Sequence, residues 1–197
     1  MLRTLRSARM ALMGLVLAGA GVVASAATIV GQTFDDRLRL ASADLVLNGL
    51  GTRSVAWIHG YAAGLYLSRK VASTELVLAD KGPKRIEIRM LLDVEAKEFT
   101  KAIHVGIGRN CGEAERAALK DRVDALERAV DAIGQLHKGD LIILDYLPAR
   151  GLVLTVNGTA QGEPLGGDDL YGGVLKIFLG DKPVDKKLKA GLLGVRS

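Results

Sequence analysis

Arg53 and Tyr61 are the two residues whose types and spacing point most directly to chemistry. They lie in the stretch Leu47 to Leu67, LNGLGTRSVAWIHGYAAGLYL, where a glycine turn delivers one arginine into an apolar strand that carries a tyrosine eight residues later. A strand alternates its faces with a period of two, so an unbulged strand places residues 53, 55, 57, 59 and 61 on one side. Val55, Trp57 and His59 then stand between the cation and the phenol, giving an apolar middle with a polar group at each end. Such a face suits an amphipathic organic anion. Arginine stays charged and presents a fork of donors that matches a carboxylate or an enolate-like oxygen, and a tyrosine hydroxyl adds one more hydrogen bond. The same spacing also accommodates a strand-edge arginine in water and a tyrosine half buried in the core.

Other chemistries find less support in the residue pattern. His59, His104 and His137 are scattered and Cys111 stands alone, so no pair has metal-ligand spacing and neither a metal nor another cofactor is expected. Asp168 and Asp169 read as the start of a helix, where negative charge suits the positive dipole end, rather than as a catalytic pair. No G-x-S-x-G elbow and no phosphate-cradling glycine loop occurs. Cys111 can close no internal disulfide, so the fold must be held by its core, with the thiol read as buried and inert.

Residues 1–26 read as an export signal. Arg3, Arg6 and Arg9 form a basic start without an acid, Met10 to Val23 is apolar, and Ala24-Ser25-Ala26 offers the small residues of a cleavage site. An uncleaved anchor is the alternative, since the apolar run approaches the lower limit of about 17 residues for a spanning helix. Cleavage after Ala26 leaves a periplasmic chain of residues 27–197 with no stable membrane anchor. Its net charge drops from +5 to +2, because three of the 27 basic residues leave while all 22 acids stay. Basic and acidic residues alternate rather than cluster, so no nucleic-acid partner is expected. Only Lys182 to Lys189 is lysine-rich, as a solvated helix face would be.

No linker, repeat or shift in composition divides residues 27–197, which we read as one domain. Strands are expected at Thr28–Val30, Arg37–Leu40, Leu45–Leu47, Ser54–His59 continuing to Leu67, and Arg85–Leu92. Leu141–Tyr146 and Leu152–Val156 read as a hairpin, followed by an Asn157-Gly158 turn to a short strand near Thr159. Apolar residues at steps of three and four predict helices over Glu113–Ile133, Ala96–Gly106 with Asp93 as a possible cap, and Asp168–Leu179. Short helices are expected at Thr74–Leu78 and Asp185–Lys189. Strands that follow one another, with helices grouped afterwards, predict an α+β fold: an open-faced β-sandwich, a large antiparallel sheet covered on one face by a layer of helices.

Five blocks in order carry a resemblance to a known family. They are N-G-x-G-x-R at 48–53, Y-A-A-G-L-Y-L at 61–67, K-G-D-x-I-x-x-D-Y-x-P at 138–148, N-G-x-x-x-G at 157–162, and L-x-I-x-L-G-D-K-P-V-D-x-x-L-K-x-G-L-L-G at 175–194. The chain resembles the chalcone isomerase-like domain over residues 27–194. That resemblance implies the open-faced sandwich, with a ligand cleft between sheet and helices. It also implies one of two functions: ring closure of a chalcone, or binding of a fatty acid without catalysis. Both branches use the arginine that falls on Arg53. The enzymes have a threonine at the position of Tyr61 and the binders a tyrosine. The enzymes' cleft tyrosine, lysine and asparagine fall on Phe99, Ala102 and Gly106, and a cleft threonine falls on Ile177. Tyr146 stands near a further family tyrosine.

Ring closure needs positioned donors to meet developing negative charge. A cleft whose polar groups have become apolar suits a tail better. The expected function is therefore non-catalytic binding of a fatty acid or similar amphipathic carboxylate, with Arg53, Tyr61, Trp57, Phe99, Tyr146 and Ile177 as ligand-binding residues and no catalytic ones. The reading asks that Arg53 stand beside an apolar hollow, unpaired with protein acids. The alternative is an isomerase or intramolecular lyase acting on an enone or phenol, with Tyr61, His59, Tyr146 or Lys101 as base. The export signal has its own test: N-terminal sequencing of the secreted protein should begin at Ala27, and a chain still starting at Met1 in membranes refutes cleavage.

Overall fold

The computed structural model describes residues 25–195, so the export segment lies almost wholly outside the described residues. The chain begins with β1 (Ala26–Ile29) and β2 (Gln32–Asp35), a small hairpin, followed by β3 (Arg37–Leu40), β4 (Ala43–Val55) and β5 (Ile58–Leu67). Helix α1 (Thr74–Ala79), β6 (Lys84–Met90) and β7 (Val94–Glu95) come next. Then α2 (Ala96–Asn110) and α3 (Glu113–Asp131) lead through β8 (Gln135–Leu136) to the β9 (Leu141–Leu147) and β10 (Gly151–Val156) hairpin. The short β11 (Thr159–Ala160), α4 (Asp168–Leu179) and α5 (Lys186–Leu192) complete the order. Seven strands form one antiparallel sheet in the order β11-β10-β9-β6-β5-β4-β3.

Strand alternation divides the sheet into two faces. Ala63, Leu65 and Leu67 of β5, Ile86, Ile88 and Met90 of β6, and Ile142 of β9 are buried in the core that the helices cover. Leu119, Val123, Leu126 and Val130 of α3 and Val174, Ile177 and Phe178 of α4 supply the helical side of that core. The opposite face is only partly apolar. Leu45, Leu47, Ala62 and Tyr66 are covered by Phe34 of the β1–β2 hairpin, and further along Arg85 pairs bidentately with Asp145 at 2.7 and 2.8 Å. A large antiparallel sheet under a layer of helices is the architecture expected from the sequence; the small hairpin on the second face was not foreseen.

The longest strand does not keep one parity. Leu45 and Leu47 face the Phe34 side, yet Gly49 and Gly51 face the helices: a Cβ on Gly49 would meet Gly191 O at 2.1 Å, and one on Gly51 would meet Leu188 O at 2.8 Å. The inversion comes from a bulge, since Leu47 pairs with Tyr66 and Gly49 with Leu65, leaving Asn48 as the extra residue. Asn48 is buried, and its side-chain amide fixes the bulge. Nδ2 donates to Val71 O at 2.9 Å and to Leu192 O at 2.8 Å, while Oδ1 accepts from Val71 N at 2.6 Å. Three separate segments thus meet on one side chain. With no Cβ at 49 or 51, α5 packs directly on the strand backbone.

Helix positions follow the apolar periodicity, although α2 runs past the expected end at Gly106 to Asn110, and two further local readings are corrected. Asp93 does not cap α2: its Oδ1 accepts from Lys138 N at 2.8 Å, and Glu95 occupies the cap position. Ser54 to Leu67 is not one strand, because the chain reverses at Ala56 and Trp57 between β4 and β5. Cys111 is buried, and burial pushes its thiol pKa up. Among the described residues no helix is long and apolar enough to cross a membrane.

Asn48→Ala removes the only side chain that closes these hydrogen bonds and leaves three buried backbone groups without a partner. Each such group costs on the order of 1–3 kcal/mol, and relaxation recovers part of the sum, so a loss of about 3 kcal/mol is expected in urea unfolding. A change below about 0.5 kcal/mol shows that the bulge is held by something else.

Candidate functional site

A cavity of about 360 Å³ lies between the helical face of the sheet and helices α2, α3 and α4. Its walls are Ile88 and Met90 from β6, Ile142 and Leu144 from β9, Phe99, Ala102 and Ile103 from α2, Leu126 and Val130 from α3, and Val174, Ile177 and Phe178 from α4. Of the lining residues, only Arg53, Tyr61 and Glu98 have polar side chains. The hollow is thus a greasy slot with Arg53 and Tyr61 side by side on the β4–β5 hairpin and Glu98 on the first turn of α2.

Arg53 and Tyr61 come together by a route the sequence did not disclose. They are directly opposed across the β4–β5 hairpin rather than spaced along one strand. The Asn48 bulge turns Arg53 to the cavity side. A second irregularity, in which Arg53 pairs with Tyr61 but Ser54 with His59, makes Gly60 the extra residue and adjusts β5 at the same place.

Arg53 is partly exposed and has a structural tie. Its Nη1 donates to Ser54 O at 2.6 Å and stands 3.7 Å from Asp185 Oδ2. The expectation that Arg53 meets no protein acid is therefore corrected. Asp185 has other tasks, however. Its Oδ1 caps α5 by accepting from Lys187 N at 2.8 Å and Leu188 N at 3.0 Å, and Oδ2 accepts from Ser54 N at 3.3 Å. A single carboxylate joins the helix start to the strand end, and the guanidinium keeps further N–H donors beside the cavity.

Tyr61 is buried, and its ring lies 5.9 Å from that of Phe99 with a 33° tilt. Burial pushes its pKa up, the Arg53 charge opposes this, and Asp185 adds to it. The phenol is protonated at neutral pH and acts as a donor, not a base. Among the described residues, the buried hydroxyl of Tyr171 donates to Leu144 O at 2.9 Å and the fully buried one of Tyr66 has no partner, whereas the Tyr61 hydroxyl, beside the cavity, makes no hydrogen bond. A buried-side phenol that lines a cavity without a protein acceptor is suited to a ligand oxygen.

The remaining residues divide. Phe99 and Ile177 line the cavity, as do Ala102 and the apolar flank of α2. Ile177 also fixes the approach of α4 to α2, because a Cβ on Gly106 would meet Ile177 Cγ2 at 2.8 Å. Trp57 is not in the cavity: it sits on the hairpin tip, 86% exposed, since the turn at Ala56 breaks the assumed strand. Tyr146 is also elsewhere, packed 5.3 Å from the Tyr171 ring with Lys84 Nζ 5.0 Å from its centroid. His59 accompanies Ser54 on the hairpin, with Nδ1 2.7 Å from Ser54 Oγ, and neither it nor Lys101 lines the cavity. Val55 lines the cavity as its place on the Arg53 face suggests, whereas the sequence reading does not include Glu98, Ile58 and Asp185 in the site. Among the described residues no group of His, Cys, Asp or Glu could hold a metal ion.

The fold has known counterparts. Residues 26–194 match the chalcone isomerase-like family model, and the chain belongs to that family. Among solved structures, the crystal structure of a fatty-acid binding protein from Arabidopsis thaliana is similar, with a TM-score of 0.64 at 15% sequence identity, covering 86% of this chain and 96% of that one. No curated protein sequence matches the chain.

The four tyrosines give a pH test. Burial is the first cause that raises the pKa of Tyr61, Tyr66, Tyr146 and Tyr171. A phenol that holds its proton more tightly when folded contributes stability that is complete below the unfolded value of about 10 and is lost as pH rises beyond it. Absorbance titration should show no tyrosinate until the fold opens above about pH 10. A phenol ionising at its ordinary pH with the fold intact contradicts the burial of these rings.

Proposed function

We propose that this protein is an exported, non-catalytic binder of a fatty acid or similar amphipathic carboxylate. Its single domain, residues 27–197, would act in the periplasm after removal of residues 1–26. The observation that carries the reading is an apolar cavity of about 360 Å³ with the Arg53 guanidinium and an unpartnered Tyr61 hydroxyl at one end. Its size falls within the range of about 300–1,000 Å³ that small-molecule sites occupy. The similar Arabidopsis thaliana structure is that of a fatty-acid binding protein, which fits the same reading. The sequence of residues 1–26 supports export.

The tail enters among Ile88, Leu126, Val174 and Phe178, where each methylene removed from water contributes about 0.8 kcal/mol. The carboxylate lies at the polar end, accepting from Arg53 and from the protonated phenol of Tyr61. Phe99, Ala102 and Ile177 offer contact and no proton transfer, and the candidate bases His59, Tyr146 and Lys101 stand outside the cavity.

Displacement of a fluorescent fatty acid tests the reading. Arg53→Ala should weaken binding about tenfold to a hundredfold, the scale of a lost charged hydrogen bond. Asp185→Asn keeps a competent helix cap while removing the competing negative charge, and should strengthen binding of a carboxylate. Equal affinity in the wild type and Arg53→Ala refutes the head-group assignment. Turnover of a chalcone panel that Tyr61→Phe abolishes replaces the binder with an isomerase.

A further inference from the structure

The β4–β5 hairpin ends in a two-residue turn, Ala56–Trp57, whose tryptophan and flanking strand ends are apolar and exposed: Val55 is 66% exposed, Trp57 86% and Ile58 52%. Trp57 is the only tryptophan of the sequence. Ala56 holds the turn with φ +53°, a left-handed conformation that alanine rarely adopts and that glycine or asparagine would take with less strain. The tip thus projects its indole into water on a turn that its residue types do not favour. Three large apolar groups together on one exposed loop mark an interaction site rather than ordinary surface.

Val55 and Ile58 do a second thing: both line the cavity. The exposed tip and the mouth of the slot are therefore one continuous apolar surface, and whatever covers the tip adjoins the opening through which a tail must pass. Next to it, Asp185 is turned to Ser54 and the α5 backbone, and the two residues that follow it, Lys186 and Lys187, are exposed. Neither joins an ion pair among the described residues. Apolar tip and lysine pair lie at the same end of the molecule.

The size of the patch decides its partner. A tryptophan buries at most about 250 Å² and is the largest of the three, so the tip side chains together fall short of the roughly 800 Å² that each partner contributes to a specific protein interface. They are sufficient for shallow insertion at a lipid–water boundary, where tryptophan concentrates and lysines meet anionic head groups. We infer that the Val55–Ile58 tip, with Lys186 and Lys187, docks reversibly on an anionic phospholipid bilayer and opens the cavity to it, so that the ligand is exchanged with the membrane rather than through water. The exchange step rests on the ligand reading above; the docking does not.

Trp57 is its own reporter. Full-length protein mixed with vesicles of phosphatidylethanolamine and phosphatidylglycerol should show a blue-shifted indole emission that brominated acyl chains quench. A membrane contact made elsewhere in the chain would leave that signal unmoved. Lys186→Glu with Lys187→Glu should weaken the vesicle-induced shift at least about tenfold in lipid concentration. Trp57→Ala, outside the cavity, should leave fatty-acid affinity in vesicle-free solution unchanged and slow transfer from loaded protein to vesicles about tenfold.

Emission that stays at its water-exposed position with vesicles present overturns the docking. So does a blue shift that grows with protein concentration alone, which assigns the tip to a second copy of the chain. Trp57 insertion without fatty-acid displacement in solution upholds the docking and removes the proposed ligand. Displacement in solution with transfer rates insensitive to Trp57→Ala keeps the ligand and removes the membrane route.

Discussion

One extra residue in one strand decides which way the arginine points. Without the bulge at Asn48, the parity that carries Leu45 and Leu47 toward Phe34 would carry Arg53 to that same outer face, away from the helices. The bulge is a local defect in the ladder, and its stability comes from elsewhere. The Asn48 amide donates to Val71 O, beyond the end of β5, and to Leu192 O, at the end of α5, and accepts from Val71 N. Since the strand cannot slip without stranding those groups, the placement of the guanidinium is tied to the packing of the C-terminal helix.

That helix closes the circuit from its other end. Asp185 caps it and reaches Ser54 N, so the start of α5 is fastened beside the arginine that the bulge has turned inward. Close approach does the rest. Gly49 and Gly51 let α5 lie on β4, and Gly106 lets Ile177 of α4 meet α2. Any side chain at these positions would push a helix off its neighbour and change the cavity's shape, so the slot's volume is set by missing Cβ atoms as much as by the groups that line it.

The layered α+β fold was legible in the sequence because burial imposes a period. The steps of three and four through Leu119, Val123, Leu126 and Val130 locate α3, and α4 is bounded as its apolar face and Gly180 suggest. Register was not legible. Trp57 was placed on the arginine's face because residues 54–67 carry no Asn, Pro or paired glycine at the actual reversal, and an alanine in a left-handed turn leaves no signal. Arg53 and Tyr61 were paired through a continuous strand that does not exist; two bulges and a hairpin bring them together instead. Tyr146 illustrates the other limit. Its alternation puts it on the helical face, but only the packing around Tyr171 and Lys84 shows that it lies away from the hollow.

The pairing of Arg53 with Asp185 bears on what the cavity can hold. At 3.7 Å, with both side chains partly open to water, the pair contributes about 1 kcal/mol or less, and it does not consume the guanidinium's donors. Glu98, in the first turn of α2, is the one acid among the described residues that lines the cavity. The carboxylate of the proposed ligand would therefore enter a mouth that is not strongly cationic, and long-range attraction would contribute little to its capture. Most of the affinity would come from the tail, whose burial accumulates with each methylene, while the arginine and the tyrosine hydroxyl would add a smaller share and fix which end faces outward. A site built this way discriminates by shape and orientation more than by charge. On the proposed function it would favour ligands already dissolved in an apolar phase, since the slot has little with which to draw an anion out of water.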